Sequence, residues 1–248
     1  AAPVREWLLR RVEAKPGDTV LELAAGAGDT GLQVAATLGE NGRLISTDFT
    51  PEMVDAARRH GAEAGLTNVE YRVMDAQSMD LEDDSVDRVI CRFGYMLMAD
   101  PAKALFETRR VLRPGRRLAL AVWGPPGRNP WAGIGAMTLV QRGHMPQPDP
   151  SVPGVFYLGD TQLLRSLLEG AGFDSIDIEE VPVHFDFADV EDYVSMMSDT
   201  AGPIAMVIRS LPDDELQATK AQLGSAFASF ATDGGYDLPG LALAAVAS

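Results

Sequence analysis

Val20-Leu21-Glu22-Leu23-Ala24-Ala25-Gly26-Ala27-Gly28-Asp29-Thr30-Gly31 decides the fold. An apolar run with the length of a buried strand enters a glycine-rich turn, and a helical pattern follows to about Leu38. Glycine lets the backbone bend sharply and approach a ligand without a β-carbon intervening. Gly26, Gly28 and Gly31 satisfy G-x-G-x-x-G, a pattern that fits nucleotide binding when it joins a strand to a helix.

Working outward, residues 4–12 predict a short amphipathic helix before this strand, and residues 43–47 predict a second strand ending at Asp48. Thr50-Pro51-Glu52 is a helix start: Thr can cap, Pro suits the first helical position and Glu suits the positive end of the helix dipole. Residues 69–73 and 85–91 predict strands three and four. A helix from Asp100-Pro101 to Leu112, the turn Pro114-Gly115 and the apolar run 118–123 complete the alternation. Such alternation with short loops implies a mostly parallel sheet with helices on both faces, whose ligands bind beyond the carboxyl ends of the strands. Between Gly124 and Gly159 no periodic pattern is read. Beyond it, Asp160 caps a helix, 176–187 is a strand, and 190–197, 202–211 and 213–231 are helical. Residues 240–247 form a last strand.

The 248 residues carry 21 basic and 36 acidic side chains, a net charge of −15. The longest basic clusters, Arg109-Arg110 and Arg116-Arg117, fall beside secondary structure, so no phosphate-neutralising face is read and no nucleic-acid partner is expected. The single cysteine, Cys91, rules out an intrachain disulfide and a multi-cysteine zinc site within one chain. No run of 18 apolar residues suggests a membrane span, and the start Ala1-Ala2-Pro3-Val4-Arg5 does not read as a secretory signal. A cytoplasmic protein is the expectation.

The glycine pattern alone leaves a nicotinamide or flavin protein open, since Asp48 also stands where a ribose-binding acid would. Three features favour a different ligand. Glu22 lies within the strand, where it would repel a pyrophosphate but attract the sulfonium and ammonium of S-adenosylmethionine. Asp75-Ala76 closes the third strand, where a carboxylate can accept from an adenine amine. No Tyr-x-x-x-Lys pair is present for hydride-transfer acid–base work.

These stretches resemble class I S-adenosylmethionine-dependent methyltransferases. Residues 20–28 resemble the family's first motif, Thr47-Asp48-Phe49-Thr50-Pro51-Glu52-Met53 its ribose-reading second, Asp75-Ala76 its adenine-side motif, and 106–120 the helix-turn-strand block that follows. Within the family the chain looks most like the ubiquinone/menaquinone-biosynthesis type and its small-molecule relatives. The resemblance implies an α/β fold: a Rossmann-like, seven-stranded, mostly parallel sheet with an antiparallel last strand, helices on both faces and a helical cap. It implies one methyltransferase domain over 1–248, with a core of about 15–124, 159–187 and 236–248. Cap or substrate segments take about 1–14, 125–158 and 188–235.

By the same analogy Asp48 binds both ribose hydroxyls, Asp75 with Ala76 holds adenine, and Phe49 and Met53 pack on the nucleoside. Ala24, Gly26 and Gly28 let the methionine part pass close to the backbone. Glu22 orients that end, unless it is a structural acid bonded to amides of the turn. Cys91, Arg92 and Phe93 pass beside the methionine part and the methyl group, and Arg92 needs a carboxylate or backbone partner. Among the three histidines, His60 reads as exposed and His184 as structural, leaving His144 as the candidate base. No metal is implied. The expected reaction is methyl transfer to a small molecule, aromatic or lipid-like. The competing readings are a non-catalytic S-adenosylmethionine-binding protein and a nicotinamide- or flavin-linked oxidoreductase.

Overall fold

The computed structural model describes residues 2–149, 151–199 and 203–248. In chain order its elements are α1 (Ala2–Val12), β1 (Thr19–Leu23), α2 (Gly31–Ala35), β2 (Arg43–Asp48), α3 (Pro51–Glu63), β3 (Val69–Val73), β4 (Val86–Arg92), α4 (Pro101–Val111) and β5 (Leu112–Trp123). They continue with α5 (Pro130–Gln141), α6 (Thr161–Gly170), β6 (Ile176–Phe187), α7 (Val190–Asp199), α8 (Pro203–Ser210), α9 (Asp213–Ala226), β7 (Ala231–Thr232) and β8 (Gly235–Ala247). The expected helix 202–211 is seen from Pro203, and Gly202 lies outside the described residues.

The sheet order is β3-β2-β1-β4-β5-β8-β6, with the two-residue β7 pairing β8 off this path. Strands β1 to β5 are parallel, and β8 runs antiparallel to β5. The chain divides into two compact units: Ala1–Gly124, Pro150–Val181 and Ala242–Ser248 form the first, and Pro125–Asp149 and Pro182–Leu241 the second.

In the first unit the middle strands are covered on both faces, which is why β1 and β4 are buried along nearly their whole length rather than at alternate positions. Register brings Leu23 beside Cys91, Glu22 beside Ser46, and Asp48 beside Val73, so four strands end at one edge. Helix α1, assigned to the cap from sequence, packs on β4 and β5 of this unit through buried Val4, Trp7, Leu8 and Val12. The Pro114-Gly115 turn is a looped-out bulge inside β5: pairing steps from Val86–Leu112 to Arg88–Arg117, with Gly115 at φ +70°. Buried Arg88, which the sequence reading passed over, donates to the carbonyls of Val12, Glu13 and Asp87.

The second unit holds the main difference from the sequence reading. Residues 130–141 form helix α5, although no periodic pattern is read there. Pro-Trp-Ala-Gly-Ile-Gly-Ala-Met-Thr-Leu-Val-Gln is apolar on most sides, so it lacks the polar face that marks an amphipathic helix. It starts after Asn129, a fully buried side chain that donates to the carbonyls of Pro125 and Leu241 and accepts from Trp131 Nε1 and Leu241 N. Gly135 sits where Tyr193 of α7 comes closest: a β-carbon there would stand 2.2 Å from the phenol oxygen, which donates to Trp131 O at 2.9 Å. Tyr193→Phe removes this bond to a carbonyl of α5, so unfolding stability should fall by about 1 kcal/mol. Chemical denaturation of the two proteins measures it, and equal midpoints would show the bond contributes nothing. The helix expected over 213–231 ends at Ala226, a short 3-10 turn follows, and Ala231–Thr232 is a strand instead. It pairs with Tyr236 and Gly235 just beyond a tight turn, so strand pairing rather than helical preference decides this segment.

Candidate active site

At the carboxyl edge of β1 the chain turns through Ala24 (φ +50°) into Gly26 (φ +56°) and Gly28 (φ +91°). At the end of β4 Phe93 also has positive φ, +62°. A β-branched or bulky residue avoids this region, and two neighbouring strand ends held there mark an over-determined, strained edge of the kind found at functional sites. Gly94 is forced by the same crowding. A β-carbon on it would meet Ala24 Cβ at 2.5 Å and Cys91 Sγ at 2.7 Å. The glycine turn is braced from α3, where His60 Nδ1 donates to Ala27 O at 2.9 Å, and a β-carbon on Gly28 would meet Leu32 of α2 and Ala57 of α3. His60 is exposed, as read from sequence, yet it holds the turn.

Glu22 is 3% exposed. Its Oε1 accepts from Gly31 N at 2.7 Å and its Oε2 from Ser46 Oγ at 3.2 Å. The carboxyl therefore caps the amide at the head of α2, the structural alternative raised from sequence. Burial pushes its pKa up to about 7, against the pull of the Gly31 and Ser46 donors and of Arg92. The sign follows from proton counting: between about pH 4.5 and 7 the folded chain keeps a proton that the unfolded chain loses. This group therefore favours folding most at acid pH, and its contribution declines by roughly 3 kcal/mol as pH rises to about 7. Glu22→Gln removes that decline. Its melting temperature should exceed the parent's by roughly 10 °C at pH 8 and approach it near pH 5. Thermal scans at both pH values test this, and a pH-independent difference would refute it.

Asp48 Oδ2 accepts from Gly26 N at 2.9 Å, while Oδ1 accepts from Thr50 N at 3.0 Å and Thr50 Oγ1 at 2.9 Å. One lone-pair direction remains on Oδ2, and a turn of the Thr50 hydroxyl frees another on Oδ1. Phe49, next in the chain, is 72% exposed, and Val73, paired with Asp48, is 55% exposed. Met53 is partly exposed on the first turn of α3. Asp75 accepts from Gln77 N at 2.9 Å and Gln77 Nε2 at 3.0 Å, and these bonds hold its pKa below the ordinary value. Gln77 Oε1 in turn accepts from Asp100 N. Ala76 beside it is buried.

On the β4 side, Cys91 is fully buried and its thiol is pushed up to about 12 by burial, which makes it an inert packing group. Arg92 finds the carboxylate partner expected of it: Nη2 lies 3.1 Å from Asp29 Oδ2 across the turn. Phe93 stacks on Trp123 with ring centroids 4.2 Å apart and planes 8° from parallel.

Twelve of the thirteen site residues named from sequence thus lie in the first unit, on the ends of β1 to β4 or the segments just beyond them. His144 belongs to the second unit, where its Nε2 is 3.1 Å from Glu215 Oε2, a carboxylate also held by Arg142. His184 there pairs with Asp237 at 3.0 Å. Sequence reasoning missed Ser46, Asp29, Gly94, Gln77 and His60. Only Ser46 carried a signal, a polar residue directly after the apolar pair Leu44-Ile45 in a strand.

The donor set suits a cationic nucleoside better than a dinucleotide. A dinucleotide would place its pyrophosphate over the amides at the head of α2. Here an internal carboxylate already occupies the Gly31 amide, and Asp29 and Asp48 border the same turn.

The family described as "Methyltransferase domain" matches residues 14–124, which span β1 to β5 and the edge just described. The demethylmenaquinone methyltransferase of Clavibacter sepedonicus is 31% identical over 186 residues, covering 68% of this chain and 70% of that protein. The structure of a SAM-dependent methyltransferase from Aquifex aeolicus superimposes with a TM-score of 0.54 and 25% identity, over 71% of this chain and 83% of that one. The YcgJ protein of Bacillus subtilis shares the fold over 100% of this chain and 98% of its own, with a TM-score of 0.68 and 19% identity. Other curated relatives are longer, and the matched part spans 39%, 34% and 58% of three of them. The capped glycine turn, the acids that end the strands and these likenesses agree: the chain belongs to the class I S-adenosylmethionine-dependent methyltransferases.

Proposed function

We propose that this chain binds S-adenosylmethionine at the carboxyl edge of β1 to β4 and transfers its methyl group to a small-molecule acceptor. The observation that carries the reading is the Glu22–Gly31 bond, which fills with an internal carboxyl oxygen the place a diphosphate would need. Bound S-adenosylmethionine supplies a methyl group on a sulfonium, moved in line to the acceptor's nucleophile with release of neutral S-adenosylhomocysteine.

The chain's residues position and desolvate the reactants. Asp48 accepts from the ribose hydroxyls through Oδ2 and, once the Thr50 hydroxyl turns aside, through Oδ1. Asp75, already anionic and fixed by Gln77, accepts from the adenine amine, with Ala76 beneath it. Phe49 and Met53 offer the apolar face for the nucleoside. Ala24, Gly26 and Gly28 carry the backbone past the methionine part, and Arg92, Cys91 and Phe93 border it from β4. Glu22 acts from behind the turn rather than by touching the ligand. A base is required where the acceptor atom must lose a proton, which then passes to solvent; His144, beside Glu215, is the candidate for that role.

For the acceptor we favour an apolar aromatic or lipid-like molecule. The Phe93–Trp123 stack and the exposed Leu97, Val152 and Val155 of the same unit support it, and one relative is named for demethylmenaquinone. Residues 94–98 and 151–158 hold these groups on two uncharged segments, joined by Gly154 N donating to Met96 O at 2.9 Å. We place the reaction in the cytoplasm, where a free thiol such as Cys91 is the ordinary state. Among the described residues no helix is long and apolar enough to cross a membrane.

The test offers the chain labelled S-adenosylmethionine and fractions of a small-molecule extract. Label appearing in an extractable apolar product supports the reading. A melting shift with a nicotinamide or flavin but none with S-adenosylmethionine would replace it with an oxidoreductase. Cofactor binding without transfer to any fraction would replace it with a non-catalytic binding protein.

A further inference from the structure

Glu22 is a buried carboxyl with an unusual set of neighbours. Its two hydrogen bonds come from neutral donors, Gly31 N and Ser46 Oγ. Among the described residues no basic side chain lies within ion-pair distance of it. The groups facing it from each packed element are few. Arg92 of β4 favours its charge, but that guanidinium is bonded to Asp29 of the turn, which opposes it. Tyr71 of β3 and Cys91 of β4 also face it, and both are neutral at physiological pH; Asp48 of β2 adds a further negative charge at the same edge. Two neutral hydrogen bonds do not compensate a walled-off carboxylate, so a group like this keeps its proton until a positive charge arrives.

We infer that capture of the cationic cofactor drives the proton off Glu22, which makes Glu22 a positioning residue that couples binding to proton release. This rests on the methyltransferase reading. In the free protein the carboxylic acid accepts from Gly31 N and shares its proton with Ser46 Oγ. When the sulfonium and ammonium settle beside the turn, the O–H bond breaks, the proton passes to solvent and the carboxylate keeps both donors. The charged form grips the Gly31 amide more tightly, so the glycine turn is stiffest when the cofactor is in place. Binding and deprotonation favour each other reciprocally.

Calorimetric titration of the full chain with S-adenosylmethionine, in buffers of differing ionisation enthalpy, counts the protons released. The parent should release about half a proton per cofactor at pH 7, and its Kd should tighten about tenfold from pH 6 to pH 8. The cofactor's own amine also titrates near this range. It contributes equally to every variant, so the difference between proteins is read. Glu22→Gln keeps the shape and a hydrogen bond to Gly31 N, and should lose both the extra proton and the extra pH dependence. Ser46→Ala removes a donor that favours the anion, so it should release more protons at pH 7 and move the tightening to higher pH. Equal proton counts in the parent and Glu22→Gln, with both binding, overturn the inference and leave the methyltransferase reading intact. If Glu22→Gln does not fold, an unmoved pH profile in Ser46→Ala overturns it as well. Failure of the folded parent to bind the cofactor overturns the reading beneath it.

Discussion

Gly31→Ala is expected to lower unfolding stability by about 4 kcal/mol, a sum of overpacking and a displaced buried hydrogen bond. A β-carbon at this position would stand 2.0 Å from Glu22 Oε2, 2.5 Å from its Cδ and 3.0 Å from its Oε1. The carboxyl has nowhere to retreat, since it lies inside the sheet with Ser46 on one side and the head of α2 on the other. Relief requires either helix α2 to lift from the sheet or Glu22 to give up the Gly31 amide. Denaturant titration of the parent and Gly31→Ala measures the loss. Glu22→Ala combined with Gly31→Ala separates the cause: the double variant has room for the new methyl and should be more stable than Gly31→Ala alone. Strictly additive losses would show that the two residues do not oppose each other in this way.

The second large effect concerns binding. Asp48→Ala should weaken S-adenosylmethionine binding about a hundredfold, because hydrogen bonds to a charged acceptor are each worth about 1.5–3 kcal/mol. The same change frees Gly26 N, which Asp48 holds at 2.9 Å, so the turn loses a support as well as the ribose its acceptor. Asp48→Asn keeps one carbonyl acceptor and should fall between the two. Calorimetry on the three proteins gives the order, and unchanged affinity in Asp48→Ala would defeat the role proposed for this residue. Asp75→Ala should cost less. That carboxylate is half-buried and its bonds to Gln77 are local.

Much of this was legible in the chain itself. The run from Val20 to Gly31 announces strand, turn and helix by composition alone, and Asp48 and Asp75 end their strands where the alternation stops. These features are local. A strand buried on both faces is mostly apolar, and a turn with positive φ favours glycine. Positions where the local rule fails were less legible. Ala24 and Phe93 take positive φ without being glycine, and no pattern in their neighbours says so. Arg92 looked anomalous in an apolar strand, and its reason, Asp29, is 63 residues away in sequence.

Helix α5 shows the converse. Its residues lack the 3.6-residue alternation because most sides are apolar, and Gly135 leaves the space that the Tyr193 phenol enters. The segment Ala231–Thr232 continues a helical pattern and still becomes a strand, since Tyr236 and Gly235 pair with it.

By itself the sequence determined the alternation of strands and helices from β1 to β5, the edge where those strands end and the acids that stand on it, because hydrophobic period, turn residues and charge act over a few neighbouring positions. Tertiary structure alone decided what Glu22 does. The residue reads as an acid near a ligand. Only the closing of α2 onto β1 and β2 turns it into a buried carboxyl bonded to Gly31 and Ser46, because burial and hydrogen-bond supply are properties of what surrounds a group in space.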